Sequence, residues 1–448
     1  MMPVAQSASV FKGIRLQIKR KNGDPMKKLA LILALVLALM VTCAFAEGTT
    51  VQADPDSATG YSVTFRYEVP DATRVRLKGN FTFTDYAHAS HKTALNADPA
   101  DWVDGMFNYN TSDYYCDMVK GDDGVWSVTL PLPNGTYSYN FYVGGESEDV
   151  TNVDDAEKVD DPAYPCIVTG YTEGVGSSSI YVPYDAEKQA KTINVEIEAP
   201  RTDDKVGTVF FEALTYGETT VPYGVYLPAG FDAERAEKYP VLVMLHGGGG
   251  NEGNWFNDGL ANIMDNLIAD GGLEDTIVVT PSWQVFGFKS TVETIETCYD
   301  MVANYLFPTI SEKYNGAEDA AHRAIGGLSM GGARVMYFAY NHSDLCDYYF
   351  AYSAPWLTDA HGTPELNTAD YEGKTIFIGC GQYDSVKVDA YLNPPSQWGS
   401  SEESTYKHVW TLADAGVSFV SADEPPYGHS WQTWRQLAAD SIGNYLWK

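Results

Sequence analysis

Positive charge is scarce in this chain. Its 448 residues carry 29 Lys and Arg against 60 Asp and Glu, a formal net charge of −31. So acidic a surface repels nucleic acid and anionic membranes, which excludes both as partners. Cysteine is scarce too, with six residues in no spacing that resembles a metal site. The one continuous apolar run, residues 29–40, is too short to cross a bilayer comfortably. Internal repeats are absent, and the Gly/Ser-rich GYTEGVGSSS at 170–179 is the single low-complexity stretch.

The apolar run sits in MKKLALILALVLALMVTCAFAEG, which begins at Met26. A short basic segment, an apolar stretch and Ala44-Phe45-Ala46 make a secretory signal with Met26 as its natural start and cleavage after Ala46. Export to the outside of the cell is the expectation. Cleavage removes seven basic residues and one acid, Asp24, and takes the net charge to −37. Five cysteines then remain. Cys116 with Cys166 is a candidate disulfide, and Cys380 reads as a small buried hydrophobe.

The chain is too long for one average domain. YSVTFRYEV, TRVRLKGNF, GVWSVTLPL and TYSYNFYVG alternate apolar with polar residues and are separated by turns. They predict an antiparallel β-sandwich over 55–169, with the insert 84–118 as a surface excursion. The stretch 170–191 is the expected linker. From 192 to 448, apolar strands alternate with helical segments. That alternation predicts an α/β domain with a mostly parallel sheet covered on both faces.

Within it, AIGGLSMGGARV (324–335) places Gly327-Leu328-Ser329-Met330-Gly331 between a strand and a helix. G-x-S-x-G in that setting is the nucleophile elbow, whereas a structural glycine turn would need no partners. A serine hydroxyl needs a base, and in this arrangement an acid and a histidine follow it along the chain. His429, in EPPYGHSWQTW, lies between the last strand and the last helix. Asp384 follows the strand KTIFIGCG, 55 residues after Ser329 and 45 before His429. Asp423, which ends the last strand, is its rival. LHGGGGNEGNW (245–255) follows an earlier strand and lacks the Lys-Ser/Thr of a phosphate loop. It would supply one oxyanion donor, from Gly247 or Gly248, and Met330 the other. Such a site performs two-step acyl transfer and requires no metal or cofactor.

The segments VPYGVYLPAGFDAERAEKYPVLVMLHGGGGNEGNW, GLSMGG, GCGQYDS and YGHSWQTWRQ resemble carbohydrate esterase family 1, which contains secreted feruloyl and acetylxylan esterases. The resemblance runs from about residue 192 to the C-terminus. It implies an α/β-hydrolase fold with Ser329 as nucleophile, His429 as base, Asp384 as the orienting acid and His246 in the oxyanion loop. It also implies a feruloylated or acetylated plant polysaccharide or oligosaccharide as partner. PDATRVRLKGNF and DDGVWSVTLPLPNGTYSYNFYVGG resemble the immunoglobulin-like early-set domains related to glycogen-binding modules. This sequence departs from the sugar-binding version, with Asn140 in place of a Lys and Glu146-Ser147 in place of a Trp. Early-set-like domains joined to a related hydrolase also occur in siderophore trilactone esterases. Trp255, Trp283 and Trp356 follow strand ends, where ligands bind in open α/β sheets, and would form an aromatic wall for a feruloyl ring. Trp431 and Trp434, in the last helix, read as core.

Overall fold

Side-chain alternation builds the N-terminal sandwich. In the strand Tyr61–Glu68, Val63 and Phe65 point inward, and Tyr137, Tyr139 and Phe141 do so in Gly135–Val143. The computed structural model describes residues 48–84, 98–108, 114–149, 152–172, 176–190, 195–386, 405–422 and 425–448. The expected signal segment and Asp423 lie outside them. One sheet orders Thr50–Ala53, Tyr61–Glu68, Val125–Leu130 and Val119–Lys120. The other orders Glu157–Val159, Gly135–Val143, Val75–Gly79 and Tyr114–Asp117.

Three expectations for this half are corrected. Residues 170–191 are not simply a linker, because Ser178–Val182 pairs antiparallel with Gly135–Tyr139 and extends the second sheet. Its SSIYV alternates in burial, so the Gly/Ser-rich run before it hid a strand. The insert 84–118 is not a plain surface excursion, since Trp102 and Phe107 in its described part are buried. Cys116 and Cys166 form no disulfide. Cys116 lies on the edge strand Tyr114–Asp117, while Cys166 donates to Asp160 beside the opposite edge. Three inter-strand spacings, about 14 Å, separate those edges, too far for a disulfide.

The C-terminal half is an eight-stranded sheet. Its strands are β1 (Thr208–Tyr216), β2 (Thr219–Leu227), β3 (Val241–Leu245), β4 (Ile277–Pro281), β5 (Arg323–Leu328), β6 (Tyr348–Tyr352), β7 (Thr375–Gly379) and β8 (Val420–Ser421). The spatial order is 1-2-4-3-5-6-7-8, antiparallel through β1, β2 and β4 and parallel from β4 to β8. Alternate residues of VLVML on β3 serve opposite faces. Val241, Val243 and Leu245 join the core under helices α2 (Val292–Met301), α3 (Phe307–Tyr314) and α4 (Met330–Asn341). Leu242 and Met244 join the core under α1 (Leu260–Ala269) and α6 (Trp431–Tyr445). A further helix, α5 (Thr405–Ala415), precedes β8. This is the α/β-hydrolase arrangement expected from the alternating pattern.

Gly48–Lys448 forms one compact unit, and buried polar groups tie its two halves together. The periodic run NWFNDGLANIMDNLIADGG breaks at Gly259, whose φ is 99°. The break turns Asp258 toward the sandwich, where its carboxylate accepts from Ser138 Oγ at 2.8 Å. Arg435 of α6 pairs with Glu198 at 2.9 Å and donates to the Thr136 carbonyl at 3.0 Å. Thr136 Oγ1 donates to the same Glu198. Burial pushes the Asp258 carboxyl up to about 6 against the opposing Arg435 charge.

Candidate active site

Ser329 stands in the turn between β5 and α4 with φ 51° and ψ −121°, a conformation a non-glycine residue holds only under strong constraint. The constraint is close packing around it. A methyl group on Gly331 would meet the Leu245 and His246 carbonyls at 2.6 and 2.5 Å, and one on Gly327 would meet the backbone of Gly331. The two glycines let helix and strand approach, and the serine is held at the strand end.

The structure brings Ser329, His429 and Asp384 together from three separate loops. Ser329 Oγ lies 3.1 Å from His429 Nε2, and His429 Nδ1 lies 2.9 Å from Asp384 Oδ1. With His429 as the Nδ1–H tautomer, Ser329 donates to the imidazole and the imidazole donates to Asp384. Asp384 is fully buried, whereas the His429 side chain keeps 26% of its exposure. Burial alone would raise the Asp384 carboxyl. The His429 charge and bonds from His429, Ser353 and the Val386 amide outweigh it and hold the carboxyl below its usual range. Burial would likewise lower His429, but the Asp384 charge and hydrogen bond hold it above 6.5. The arrangement can take a proton from Ser329 and return it to a leaving group.

The loop after β3 runs beside this chain. A methyl group on Gly247 would come 3.3 Å from Ser329 Cβ, and one on Gly248 would come 3.3 Å from Met330 Cγ. Met330 opens α4, where backbone N–H groups lack intrahelical partners and the helix dipole favours negative charge. His246 is buried and is not the base. Desolvation pushes it down to about 3, so it is neutral and its Nδ1 contacts the Gly247 carbonyl at 2.7 Å.

The three tryptophans expected as a substrate wall are instead buried, each 1% exposed. Trp255 donates to the Leu245 carbonyl. Trp283 donates to the His246 carbonyl and is stacked between the His246 ring and the Arg334 guanidinium. Trp356 packs against His361 and His408. Each follows a strand end, but its indole turns inward, so Trp255 and Trp283 brace the start of the loop after β3 and none meets an acyl group from solution.

Two positions escaped sequence reasoning. Ser353, just past β6, has φ 47° and is fully buried. Its hydroxyl donates to Asp384 Oδ2 at 2.6 Å and accepts from Trp434 Nε1 at 3.0 Å. Trp434, read as core, is buried and also meets the His429 ring edge-on, with centroids 4.9 Å apart. Trp431, read as core as well, is only half-buried. The one signal for Ser353 was its place after a strand on the face that carries the other site residues.

Comparison with known proteins agrees with this architecture. Residues 216–443 match the family model described as "Putative esterase". An endo-1,4-β-xylanase/feruloyl esterase of Xylanibacter ruminicola is 32% identical over 224 residues, covering 47% of this chain and 27% of that protein. Endo-1,4-β-xylanase Y of Acetivibrio thermocellus is 32% identical over 164 residues, 34% of this chain and 15% of that one. The chain thus spans less than a third of either relative. Among solved structures, the enterobactin esterase of Shigella flexneri superposes with a TM-score of 0.50 at 14% identity, covering 89% of this chain and 96% of its own. That likeness concerns the fold, including the N-terminal sandwich. Because the family match spans half the chain, the protein belongs to this esterase family, and it has the α/β-hydrolase fold.

Proposed function

We propose that the protein is a secreted feruloyl esterase that removes hydroxycinnamoyl groups from plant cell-wall arabinoxylan. The hydrogen-bonded line Ser329–His429–Asp384 carries the reading. The relative whose name pairs xylanase with feruloyl esterase supplies the substrate class. His429 takes the Ser329 proton as Oγ attacks the ester carbonyl, and the carbonyl oxygen becomes an oxyanion held by the Met330 and Gly247 or Gly248 amides. The tetrahedral intermediate collapses, and His429 gives the proton to the departing sugar hydroxyl. Water, deprotonated by His429, then attacks the acyl-serine and releases the acid and Ser329. Asp384 orients the imidazole and stabilises its charged form.

The test is chromatography of acids released from feruloylated, acetylated arabinoxylan, with Ser329→Ala as control. Ferulate released by the wild type and absent from the control is the expected result. Acetate alone would make the protein an acetylxylan esterase with the same machinery. Neither acid, with hydrolysis of a catecholate trilactone, would transfer the reading to a siderophore esterase. No ester cleavage at all would leave a polysaccharide-binding protein with an idle hydrolase domain.

A further inference from the structure

A cleft of about 560 Å³ opens between the sandwich and the hydrolase sheet. Its floor reaches Gly249 and Gly250, the residues after the oxyanion glycines, and Ser430, the residue after His429. Its sandwich wall is made by Asn80, Asn140, Lys78 and Lys158, and its hydrolase wall by residues such as Gln284 and Trp431. Amides both donate and accept hydrogen bonds, which matches the paired donor and acceptor character of sugar hydroxyls. Trp431 is half-buried and braced edge-on by Trp255 and Trp434, so its ring is held in place at the cleft.

The cleft brings two lysines of an acidic protein together. Among the described lining residues, Lys78, Lys158 and Asp258 are ionisable as acid or base at neutral pH. Asp258 is 4% exposed and engaged with Ser138. Lys158 is exposed, and its Nζ donates to the Gly176 carbonyl, with donor capacity for a further acceptor. Lys78 Nζ lies 5.2 Å and 5.7 Å from the Tyr115 and Tyr142 ring centroids. In a chain of net charge −31, two lysines at one cleft place two cations where a substrate carboxylate could reach them, beside the Asp160 carboxylate that Asn140 already engages.

We propose that this cleft is a subsite for the sugar chain of the substrate and that the chain it takes is acidic, an oligosaccharide bearing a uronate whose carboxylate meets Lys78 and Lys158. The assignment rests on the polysaccharide-esterase reading above and names its substrate class more narrowly. It also gives the sandwich a recognition role at the catalytic mouth.

The test is calorimetric titration of the full chain with a glucuronate-bearing xylo-oligosaccharide and with the neutral oligosaccharide of equal length. The acidic ligand should bind on the order of tenfold more tightly at low salt, with the preference fading at high salt. Replacing both lysines by Gln should abolish the preference, and replacing both by Arg should keep it. Lys158 is exposed, so Lys158→Gln alone keeps the test should the double variant lose its fold. Equal affinity for the two ligands, binding of neither, or a preference that survives loss of the lysine charges would overturn the proposal. No ester is cleaved in these titrations, so their failure is separate from failure of the feruloyl reading, which ferulate release from methyl ferulate measures.

Discussion

Phe107 of the N-terminal half stacks on Tyr383, the residue before Asp384, with ring centroids 5.1 Å apart and planes inclined by 20°. The same ring lies 6.1 Å from Tyr427, two residues before His429. One buried side chain from the sandwich therefore touches both loops that carry Asp384 and His429. The Tyr383 amide also donates to the Tyr427 carbonyl at 3.0 Å, which joins those loops directly.

Phe107→Ala should lower kcat while leaving KM for a small ester nearly unchanged. It removes a ring that positions Asp384 and His429 and touches no substrate in our reading. The cavity should also cost about 3–5 kcal/mol of stability. Steady-state kinetics and denaturant unfolding measure the two effects, with Phe107→Leu recovering part of each. Lost stability with an unchanged kcat would reduce Phe107 to packing alone.

The pH profile of kcat/KM should have an acid limb above pH 6.5, because Asp384 holds His429 above its ordinary value. Below that limb the imidazole is protonated and cannot accept the Ser329 proton, so activity falls as pH falls. Asp384→Asn removes the charge that opposes burial, so the limb should move to lower pH while kcat drops by roughly 10⁴-fold. A pH–rate profile of both proteins decides this. A near-normal rate in the variant would move the acid role to Asp423.

Asp258→Asn should stabilise the protein at neutral pH. The folded state holds the Asp258 proton more tightly than the unfolded state, with values of about 6 and 3.8. The unfavourable contribution is therefore absent below pH 3.8, grows as pH rises, and is complete above about 6. The amide cannot ionise and should gain about 2–3 kcal/mol at pH 7 and almost nothing at pH 3.5. Thermal unfolding across that range is the measurement, and an equal shift at both ends would contradict it.

Arg435→Met should destabilise the fold by about 3–5 kcal/mol, because it leaves Glu198 as a buried carboxylate without its cation. Adding Glu198→Gln should recover most of that loss. Urea unfolding of the two single variants and the double variant forms the cycle. Additive losses would mean that the two side chains are not coupled.

Much of the site was legible because a nucleophile elbow carries constraints along the chain. A tight glycine turn between strand and helix marked Ser329, and chain order after later strands pointed to Asp384 and His429. The structure places those side chains within 3.1 Å of their partners. Trp255, Trp283 and Trp356 were misjudged on the same positional logic. A place after a strand says where a backbone emerges, not which way a large side chain turns. Trp283 turns inward because the His246 ring, the Arg334 guanidinium and the His246 carbonyl all receive it. The strand Ser178–Val182 was missed for a related reason, since its partner is a residue run about forty positions earlier and local composition around it spells a linker.

The sequence by itself determined the class of each half, the order of the catalytic elements and the acidity of the surface. Hydrophobic periodicity, glycine spacing and charge are local or summed properties of a chain, and they survive without coordinates. Only the tertiary structure decided what meets across long separations. It set Ser353 under Asp384, Phe107 against Tyr383, Arg435 against Glu198, and two lysines in one cleft with Gly249 and Ser430. Those relationships arise when separate layers pack and bury polar groups that must then find partners, a condition that no single segment of the chain contains.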